Sequence, residues 1–432
     1  LKSFTQSLTI KIDKIDRTRQ TQLRMLLTPT SEIKLDYDLA IVGGGIVGAT
    51  LAAALKDSGL SVALIEAQVE SVSVAKGRAY AISLLSGRIF DGIGIWDKIE
   101  PQITTYQQVQ LSDADYPKIV QFHPPELGTN GLGYTAEHRV LLTVLQEFLQ
   151  TCPNVSYLCP AEVIKADYQK DFVEIQLRLN GELKTIKTRL LVGADGAKSR
   201  IRQAAGIKTH GWPYWQSCVV ATIKPEKPHN NVAYERFWPS GPMGVLPLTE
   251  NRFQIVWTWP HAEAKAMQEL DETEFLQKLE YYTGGKFGKL ELLGDRYIFP
   301  VQLMQCDRYT LPRLALIGDA AHGCHPVAGQ GMNLGIRDAA ALAQILQTAQ
   351  QNGEDIGNIQ VLKHYETWRK RENWVILGFT DFLDRIFSNQ FLPLVIIRRF
   401  GLWMLRNITP IKKYALQLMT GLRGRPPQLS QM

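Results

Sequence analysis

The apolar positions along the chain change period from segment to segment, and each change marks an element. Tyr37 to Val42 reads Tyr-Asp-Leu-Ala-Ile-Val, a nearly unbroken apolar run of strand length. Gly43 to Gly45 interrupt it. Ile46 to Lys56 is Ala-rich with helical spacing, Asp57-Ser58-Gly59 stops that helix, and Leu60 to Ile65 is a second apolar run that ends at Glu66. Strands that are apolar on both faces, joined through a helix, predict a βαβ unit in a buried parallel sheet. Residues 105–135 carry strand-like pieces broken by Pro and Gly, and Glu137 to Leu149 returns to a helical period. Val173 to Leu179 and Leu183 to Thr188 flank Asn180-Gly181, the dipeptide best suited to a tight hairpin. Leu190 to Val192 is another short buried strand.

Residues 212–304 differ in character. Aromatic and β-branched runs such as Val219 to Ile223 and Phe253 to Trp259, with one helical stretch at Glu272 to Tyr282, predict a second and mostly antiparallel sheet. Leu314 to Ile317 resumes the buried-strand pattern. A Gly-rich loop, a helix over Leu334 to Thr348 and a helical, partly amphipathic remainder from Val361 follow. No internal repeat is evident.

Composition narrows the class. The 432 residues suffice for a large core, and 45% hydrophobic with 21% charged residues is ordinary for a globular protein. A net charge of +6 gives no argument for nucleic acid. No run of about 18 apolar residues lacks a charge or a breaker, so no spanning helix is expected. Five cysteines, an odd number without zinc spacing, read as free thiols in a reducing, cytoplasmic compartment. His322 and His325 lack a companion carboxylate cluster, so no metal site is expected. The charge is also unevenly placed. After Asp384 there is no acid, while Arg385, Arg398, Arg399, Arg406, Lys412, Lys413, Arg423 and Arg425 give that stretch +8 and leave the rest at −2. This basic, apolar tail reads either as helices packed on the body with solvated cations, or as a patch that meets a membrane surface. Pro393 and Pro410 break it, so two or more short helices are expected. Residues 1–24 are polar, mildly basic and aperiodic, without the apolar core of a signal peptide. A transit peptide shares their Arg, Lys, Ser and Thr content. The preferred reading is an extended start, with the working protein beginning near Met25 and indifferent to loss of residues 1–24.

Three motifs carry chemistry. Gly43-x-Gly45-x-x-Gly48 lies between a strand and a helix, where glycines allow a tight turn and close backbone approach to a pyrophosphate at the helix N-terminus. Glu66, 18 residues past Gly48, ends the next strand, where an acid can accept from a ribose. This fingerprint does not separate FAD from NAD. Gly193-Ala194-Asp195-Gly196-Ala197-Lys198-Ser199-Arg200 and Gly318-Asp319-Ala320-Ala321-His322 each follow a short buried strand, at the end where α/β sheets bind ligands. Either acid alone could cap a helix. Both, in this order after the fingerprint, point to a nucleotide cofactor.

The order GxGxxG, Gly-Ala-Asp-Gly-x-x-Ser-x-x-Arg, Gly-Asp-Ala-Ala-His resembles the single-component flavoprotein aromatic hydroxylases. The segment His325 to Asp338, with Gly329-Gln330-Gly331 inside it, is similar to the signature of their ubiquinone-biosynthesis branch, which acts on polyprenyl phenols. The resemblance covers roughly Tyr37 to Leu429, and it is loose over the substrate sheet. It implies an α/β fold: a Rossmann-type FAD-binding domain over 37–211 and 305–348, an inserted mostly antiparallel substrate sheet at 212–304, a helical C-terminal region at 349–432 and an extension at 1–36 expected to be disordered. It implies that Gly43, Gly45, Gly48 and Glu66 hold the ADP half of FAD, that Arg78 approaches the flavin, and that Arg139 opens a helix near the pyrophosphate. Asp319 would bind the ribityl chain, and Gly329, Gly331, Met332 and Asn333 would present backbone N–H groups to the flavin. Asp195 and Arg200 belong to a motif linked to both FAD and NAD(P)H.

In this family NAD(P)H reduces FAD and a flavin hydroperoxide delivers oxygen to the ring, so no residue is assigned a catalytic role and NAD(P)H visits as a co-substrate. The implied partners are a phenolic or prenyl-phenol substrate, a membrane surface met by the basic tail, and an enzyme complex of quinone biosynthesis. Same-fold epoxidases, prenyl reductases and halogenases stay open. Trp257-Thr258-Trp259 is similar to a halogenase motif, but His261-Ala262 replaces the Ile-Pro that should follow. A flavin-binding assembly factor without turnover is a further alternative, of another class.

Overall fold

The structure is a computed structural model that describes residues 34–69, 77–113, 116 and 118–431. The expectations for residues 1–24, and nearly all of the 1–36 extension, lie outside these residues. From Tyr37 onward the chain forms one unit.

The βαβ opening consists of β1 (Tyr37–Val42), a helix at Ile46–Ala54 and β2 (Val62–Ile65). β3 (Ala79–Ile82) precedes a helix at Leu84–Ile93, whose N-terminus is capped by the Ser83 side chain accepting from Ser86 N–H and whose end is turned by left-handed Gly94. β4 (Thr104–Tyr106), β5 (Gln108–Asp113), β6 (Val120–Phe122) and β7 (Gly133–Glu137) lead to the helix His138–Leu149. β8 (Val155–Leu158), β9 (Ala161–Tyr168), β10 (Val173–Leu179) and β11 (Glu182–Gly193) follow. The Asn180-Gly181 turn joins β10 to β11 with both residues at positive φ, as the hairpin reading requires. β11 is longer than expected and absorbs Leu190 to Val192.

β12 (Thr209–Pro225), β13 (Val232–Trp238), β14 (Gly241–Leu248), β15 (Arg252–Pro260) and β16 (Leu290–Cys306) make the second sheet. β17 (Thr310–Leu311), β18 (Leu314–Leu316) and β19 (His322–Gly323) complete the strands. The first sheet runs β17-β18-β11-β1-β2-β8, with β10 attached to β11 and β9 to β10. Its centre is parallel: Leu39 pairs with Leu190 on one side and Val62 on the other.

The second sheet runs β19-β16-β12-β15-β14-β13-β5-β6, antiparallel except for β5 against β13. It is therefore wider than 212–304. β5 and β6 join its edge from within the first FAD-binding stretch, because Val109 and Leu111 find apolar cover on β13 and not in their own neighbourhood. A three-stranded sheet, β3-β7-β4, is formed by the stretch between β2 and β8.

The two faces of β15 separate core from cavity with a period of two. Phe253, Ile255 and Trp257 pack against Phe275 and Leu279 of the helix Glu272–Thr283, while Gln254 and Val256 face a cavity. Trp257, fully buried among these aromatics, is thus core and not a site. The helix His261–Glu269 at the end of β15 was not expected.

The helix Gln330–Gln351 begins four residues earlier than its periodicity predicts. Ile359–Phe387, Leu392–Asn407 and Thr409–Met419 are the C-terminal helices, with Pro393 and Pro410 in first turns, where a missing N–H has no helical acceptor to lose. The last segment folds back on the FAD-binding half. Leu85 N–H bonds to Thr420 O, and a Cβ on Gly92 would meet Leu429 O at 1.8 Å. Among the described residues no helix is long and apolar enough to cross a membrane.

Candidate active site and cofactor cradle

One cavity of about 1060 Å³ runs from the tip of β1 across the second sheet to the C-terminal helices. It has a polar end and an aliphatic end, and the sequence motifs cluster at the polar end.

The fingerprint glycines divide by function. A Cβ on Gly43 would lie 2.3 Å from Ala194 O, and one on Gly48 would lie 1.9 Å from Gly43 O, so these two permit tight packing. Gly45 lines the cavity and a Cβ there would meet nothing within 4 Å. Its missing side chain leaves space for a ligand at the N-terminus of the Ile46–Ala54 helix, where unpaired N–H groups favour a pyrophosphate. Glu66 stands beside this turn. One carboxylate oxygen accepts from Gly44 N–H at 2.8 Å and the other from Gln68 N–H at 2.7 Å, and each retains a lone pair for a sugar hydroxyl.

Asp319 follows β18 and faces the cavity beside Arg78 and Tyr80. Burial pushes its carboxyl up, partly offset by His322 and Arg78. The Arg78 guanidinium stacks 5.2 Å from the Phe299 ring centroid. Burial likewise pushes the Tyr80 hydroxyl up to about 12, and that hydroxyl bonds to His138 Nδ1 at 3.1 Å.

The Gly329 loop forms the far wall. Ala328 and Gly329 both adopt left-handed backbone (φ 57° and 60°) before the Gln330–Gln351 helix begins. No side chain caps that helix, so the first-turn N–H groups around Gly331 and Met332, which line the cavity, have no helical acceptor. Asn333 fixes the loop with all four of its amide positions. Its oxygen accepts from Ser83 N–H and Ser86 Oγ, and its nitrogen donates to Ala81 O and Gly329 O, each at 2.8 Å. His325 supports the same loop. Burial lowers it to about 3, and Nδ1 accepts from Val327 N–H, so the neutral ring carries its proton on Nε2, facing Gln216 and Asp384.

Three expected residues stand elsewhere. Arg139 is 62% exposed, pairs with Glu137 and does not line the cavity; its neighbour His138 does. Asp195 accepts from Arg200 and Ile201 N–H groups and so caps the short helix Arg200–Ala204. Arg200 turns outward to an ion pair with Glu162. The arginine of this segment that reaches the cavity is Arg202, which donates to Ala320 O at 2.9 Å and Ala197 O at 2.8 Å and ties the two acidic turns together. The Ser-x-x-Arg spacing from Ser199 ends on Arg202, so the sequence carried a signal for the arginine that faces the cavity in place of Arg200. Gln254 carried no signal. Its amide accepts from Ala79 N–H at 2.7 Å and donates to Gly77 O at 3.3 Å, holding the segment that bears Arg78 against the second sheet.

At the aliphatic end, Val109, Leu111, Phe237, Phe387, Leu402 and Leu416 enclose a chamber between the second sheet and the C-terminal helices. A smaller cavity of about 220 Å³, lined by Tyr116, Trp403 and Arg406, shares Leu402 with it. Among the described residues, no group of His, Cys, Asp and Glu could hold a metal.

The open space at Gly45, the acid at the strand end and the uncapped helix at Gly331 fit the pyrophosphate, ribityl and ring of a flavin dinucleotide. Fold and cavity together define a flavin-dependent monooxygenase. The profile of the family described as "FAD binding domain" matches residues 36–380. The chain is 51% identical to an uncharacterized protein of Synechocystis, over 91% of this chain and 95% of the other. It is 36% identical to the ubiquinone hydroxylase UbiL of Rhodospirillum rubrum, over 91% and 92%. It is 34% identical to the 3-demethoxyubiquinol 3-hydroxylase of Escherichia coli, over 89% and 98%. The p-nitrophenol 4-monooxygenase PnpA of Pseudomonas putida superposes with a TM-score of 0.77 over 91% of this chain and 100% of the other, at 18% identity, and so shares the fold. The chain belongs to the FAD-dependent monooxygenase family that contains the ubiquinone-biosynthesis hydroxylases.

Proposed function

We propose that the protein hydroxylates the aromatic ring of a polyprenylated phenol in quinone biosynthesis, with NAD(P)H and O₂ as co-substrates. The observation that carries this reading is the two-ended cavity: a polar cradle for a flavin is continuous with an aliphatic chamber closed by Leu402 and Leu416. At about 1060 Å³ it lies at the upper end of ordinary ligand pockets, with room for a ring beside the flavin and an isoprenoid chain beyond it. Bound FAD supplies the electron transfer and oxygen activation. The protein's own residues hold the ring of the substrate against the Val327–Gly329 loop and keep water from it. The relatives named for ubiquinone hydroxylation support the substrate class.

The tail contact with a membrane belongs to the same proposal. Leu392, Ile396, Phe400 and Trp403 form one exposed face of the helix Leu392–Asn407, with Phe400 and Trp403 stacked and Arg406 and Lys413 nearby on the surface. This face adjoins the smaller cavity at Trp403, a suitable entrance for a lipid-soluble substrate. The test is turnover of a farnesyl-substituted phenol by the FAD-loaded protein with NAD(P)H. The expected result is phenol-dependent O₂ uptake and a product that gains one oxygen atom from O₂. NAD(P)H oxidation that yields only hydrogen peroxide with every prenyl phenol tried would overturn the reading.

A further inference from the structure

Of the cavity-lining residues described, only Asp319 and Glu235 are acids. Asp319 stands in the cofactor turn. Glu235 stands on β13 of the second sheet and meets the cofactor cradle only at Ala328 N–H. On β13 the period of two places Ala233, Glu235 and Phe237 on one face, and both apolar neighbours belong to the cluster under the C-terminal helices. Across the strands Glu235 pairs with Leu111 on β5 and with Gly244 on β14. Val220, Leu246 and Val256 continue the wall. A carboxylate in such a wall is costly unless something binds it. A prenyl chain has no use for it. The carboxyl therefore marks where the polar end of the substrate lies.

Its surroundings suit that task. One oxygen, Oε2, accepts from Ala328 N–H at 3.4 Å, which sets the carboxyl against the left-handed turn of the Gly329 loop. Among the described residues Oε1 has no hydrogen-bond partner. The missing side chain at Gly244 keeps space beside the group, since a Cβ there would lie 3.7 Å from Oε2.

Resting on the function proposed above, we propose that Glu235 is the catalytic base of the hydroxylation, accepting the phenolic proton through Oε1 as the ring is oxidised. The O–H electron pair stays on the phenol oxygen and flows into the ring as an adjacent ring carbon bonds to electrophilic oxygen. That carbon then loses its own proton, which ends in the water formed from the second oxygen atom, and aromaticity is restored as Glu235 returns the first proton to the phenol oxygen. O₂ supplies the oxygen atom and NAD(P)H the two electrons, with the second oxygen atom leaving as water. Burial supports the role by pushing the Glu235 carboxyl up to about 7, which the Ala328 N–H only partly offsets. A base is most useful when its pKa lies near the working pH. Cys218, on β12 of the same sheet and within electrostatic reach of Glu235, is pushed up to about 12 by burial and stays a neutral thiol.

The test uses full-length, FAD-loaded protein, a farnesyl-substituted phenol and ring-halogenated versions of it that ionise more readily. Glu235→Gln should keep flavin content and KM while kcat falls about 100-fold, within the range of general-base catalysis. The loss should shrink as the phenol becomes more acidic, and Glu235→Asp should recover part of the rate. Without NAD(P)H, the NMR signal of a phenol isotope-labelled at its hydroxyl-bearing carbon should shift through an inflection near neutrality in wild type and not in Glu235→Gln. Wild-type turnover by Glu235→Gln, or an equal loss at every phenol acidity with an unchanged inflection, overturns the role of Glu235 and leaves the function intact. A wild-type protein that oxygenates no prenyl phenol overturns the function itself.

Discussion

The buried Asp338 carboxylate accepts the backbone N–H of Gly318 at 3.1 Å and so holds, from behind, the turn that presents Asp319 to the cavity. The same carboxylate takes bonds from His322 Nε2 at 2.5 Å, Arg369 Nε at 2.8 Å and Asn373 Nδ2 at 3.1 Å. The turn that carries Asp319 is thus tied to two helices through one side chain.

Asp338→Ala should therefore cost stability and flavin together. Removing one partner of a buried pair costs about 3–5 kcal/mol, because Arg369 is left charged and buried. Burial alone would push Asp338 up, but His322 and Arg369 hold it well below the usual carboxylate range. A depressed folded pKa stabilises above the unfolded value and is lost as pH falls toward the folded one, so the gap to wild type should narrow below about pH 4. Thermal melting across pH checks this; an unchanged midpoint at neutral pH would falsify it.

Asp319→Asn should act in the opposite sense on the empty protein. Its folded pKa is raised by burial, so the ionised carboxyl costs stability above the unfolded value. The apoprotein variant should melt higher than wild type at about pH 8 and no higher at about pH 4. FAD binding should weaken by about 1–3 kcal/mol, roughly 5- to 150-fold in Kd. Equal affinity in fluorescence titrations would place the ribityl chain elsewhere.

Gly45→Ala separates cradle from fold. With φ −66° and nothing within 4 Å of an added Cβ, the apoprotein should still fold, with stability lowered by about 1 kcal/mol because alanine is a poorer N-cap than glycine. FAD affinity should drop by at least about tenfold, or 1.4 kcal/mol. Gly48→Ala should instead lower soluble yield, since its Cβ collides with Gly43 O. Tight FAD binding by Gly45→Ala would show that the pyrophosphate does not approach there.

Among the described residues, the basic tail divides into cations held in ion pairs and cations without one. Arg398 is 6% exposed and paired at 2.9 Å with Asp113, itself 3% exposed, and Lys412 pairs with Glu126 at 2.6 Å. Arg398→Gln should destabilise the fold by about 1–3 kcal/mol, because Asp113 loses its short charged hydrogen bond and keeps only the longer pair with Arg399 at 3.8 Å. Arg406→Gln with Lys413→Gln should leave melting unchanged but weaken sedimentation with anionic liposomes by about 1 kcal/mol per charge, most visibly at low salt. Equal sedimentation by both proteins would remove the membrane role from these cations.

What the sequence revealed was what neighbours in the chain decide. The βαβ turn, the Asn180-Gly181 hairpin and the split of the tail at Pro410 all follow from local periodicity and turn chemistry. What it hid depends on partners far away. β5 reads as an isolated fragment until Val109 and Leu111 are placed against β13. Glu235 is one acid in a strand until that pairing gives it a cavity, and Gln254 becomes a strut only once Ala79 lies beside it. The early start of the Gln330 helix was masked by Gly331, whose low helical propensity is overridden by the amide of Asn333 gripping Gly329 O.

The chamber wall that folds back from Leu392 to Leu429 fixes an order of events during synthesis. The sheet strands and the motif glycines leave the ribosome well before the helices that cover them, so the greasy side of β5 and β13 waits bare while the rest of the chain is made. Leu402 and Leu416 seal it only afterwards, when Thr420 and Leu429 dock against Leu85 and Gly92. A nascent chain stalled short of Leu392 would therefore carry a complete dinucleotide fingerprint and an open apolar trough, ready to capture flavin yet also a client for chaperones.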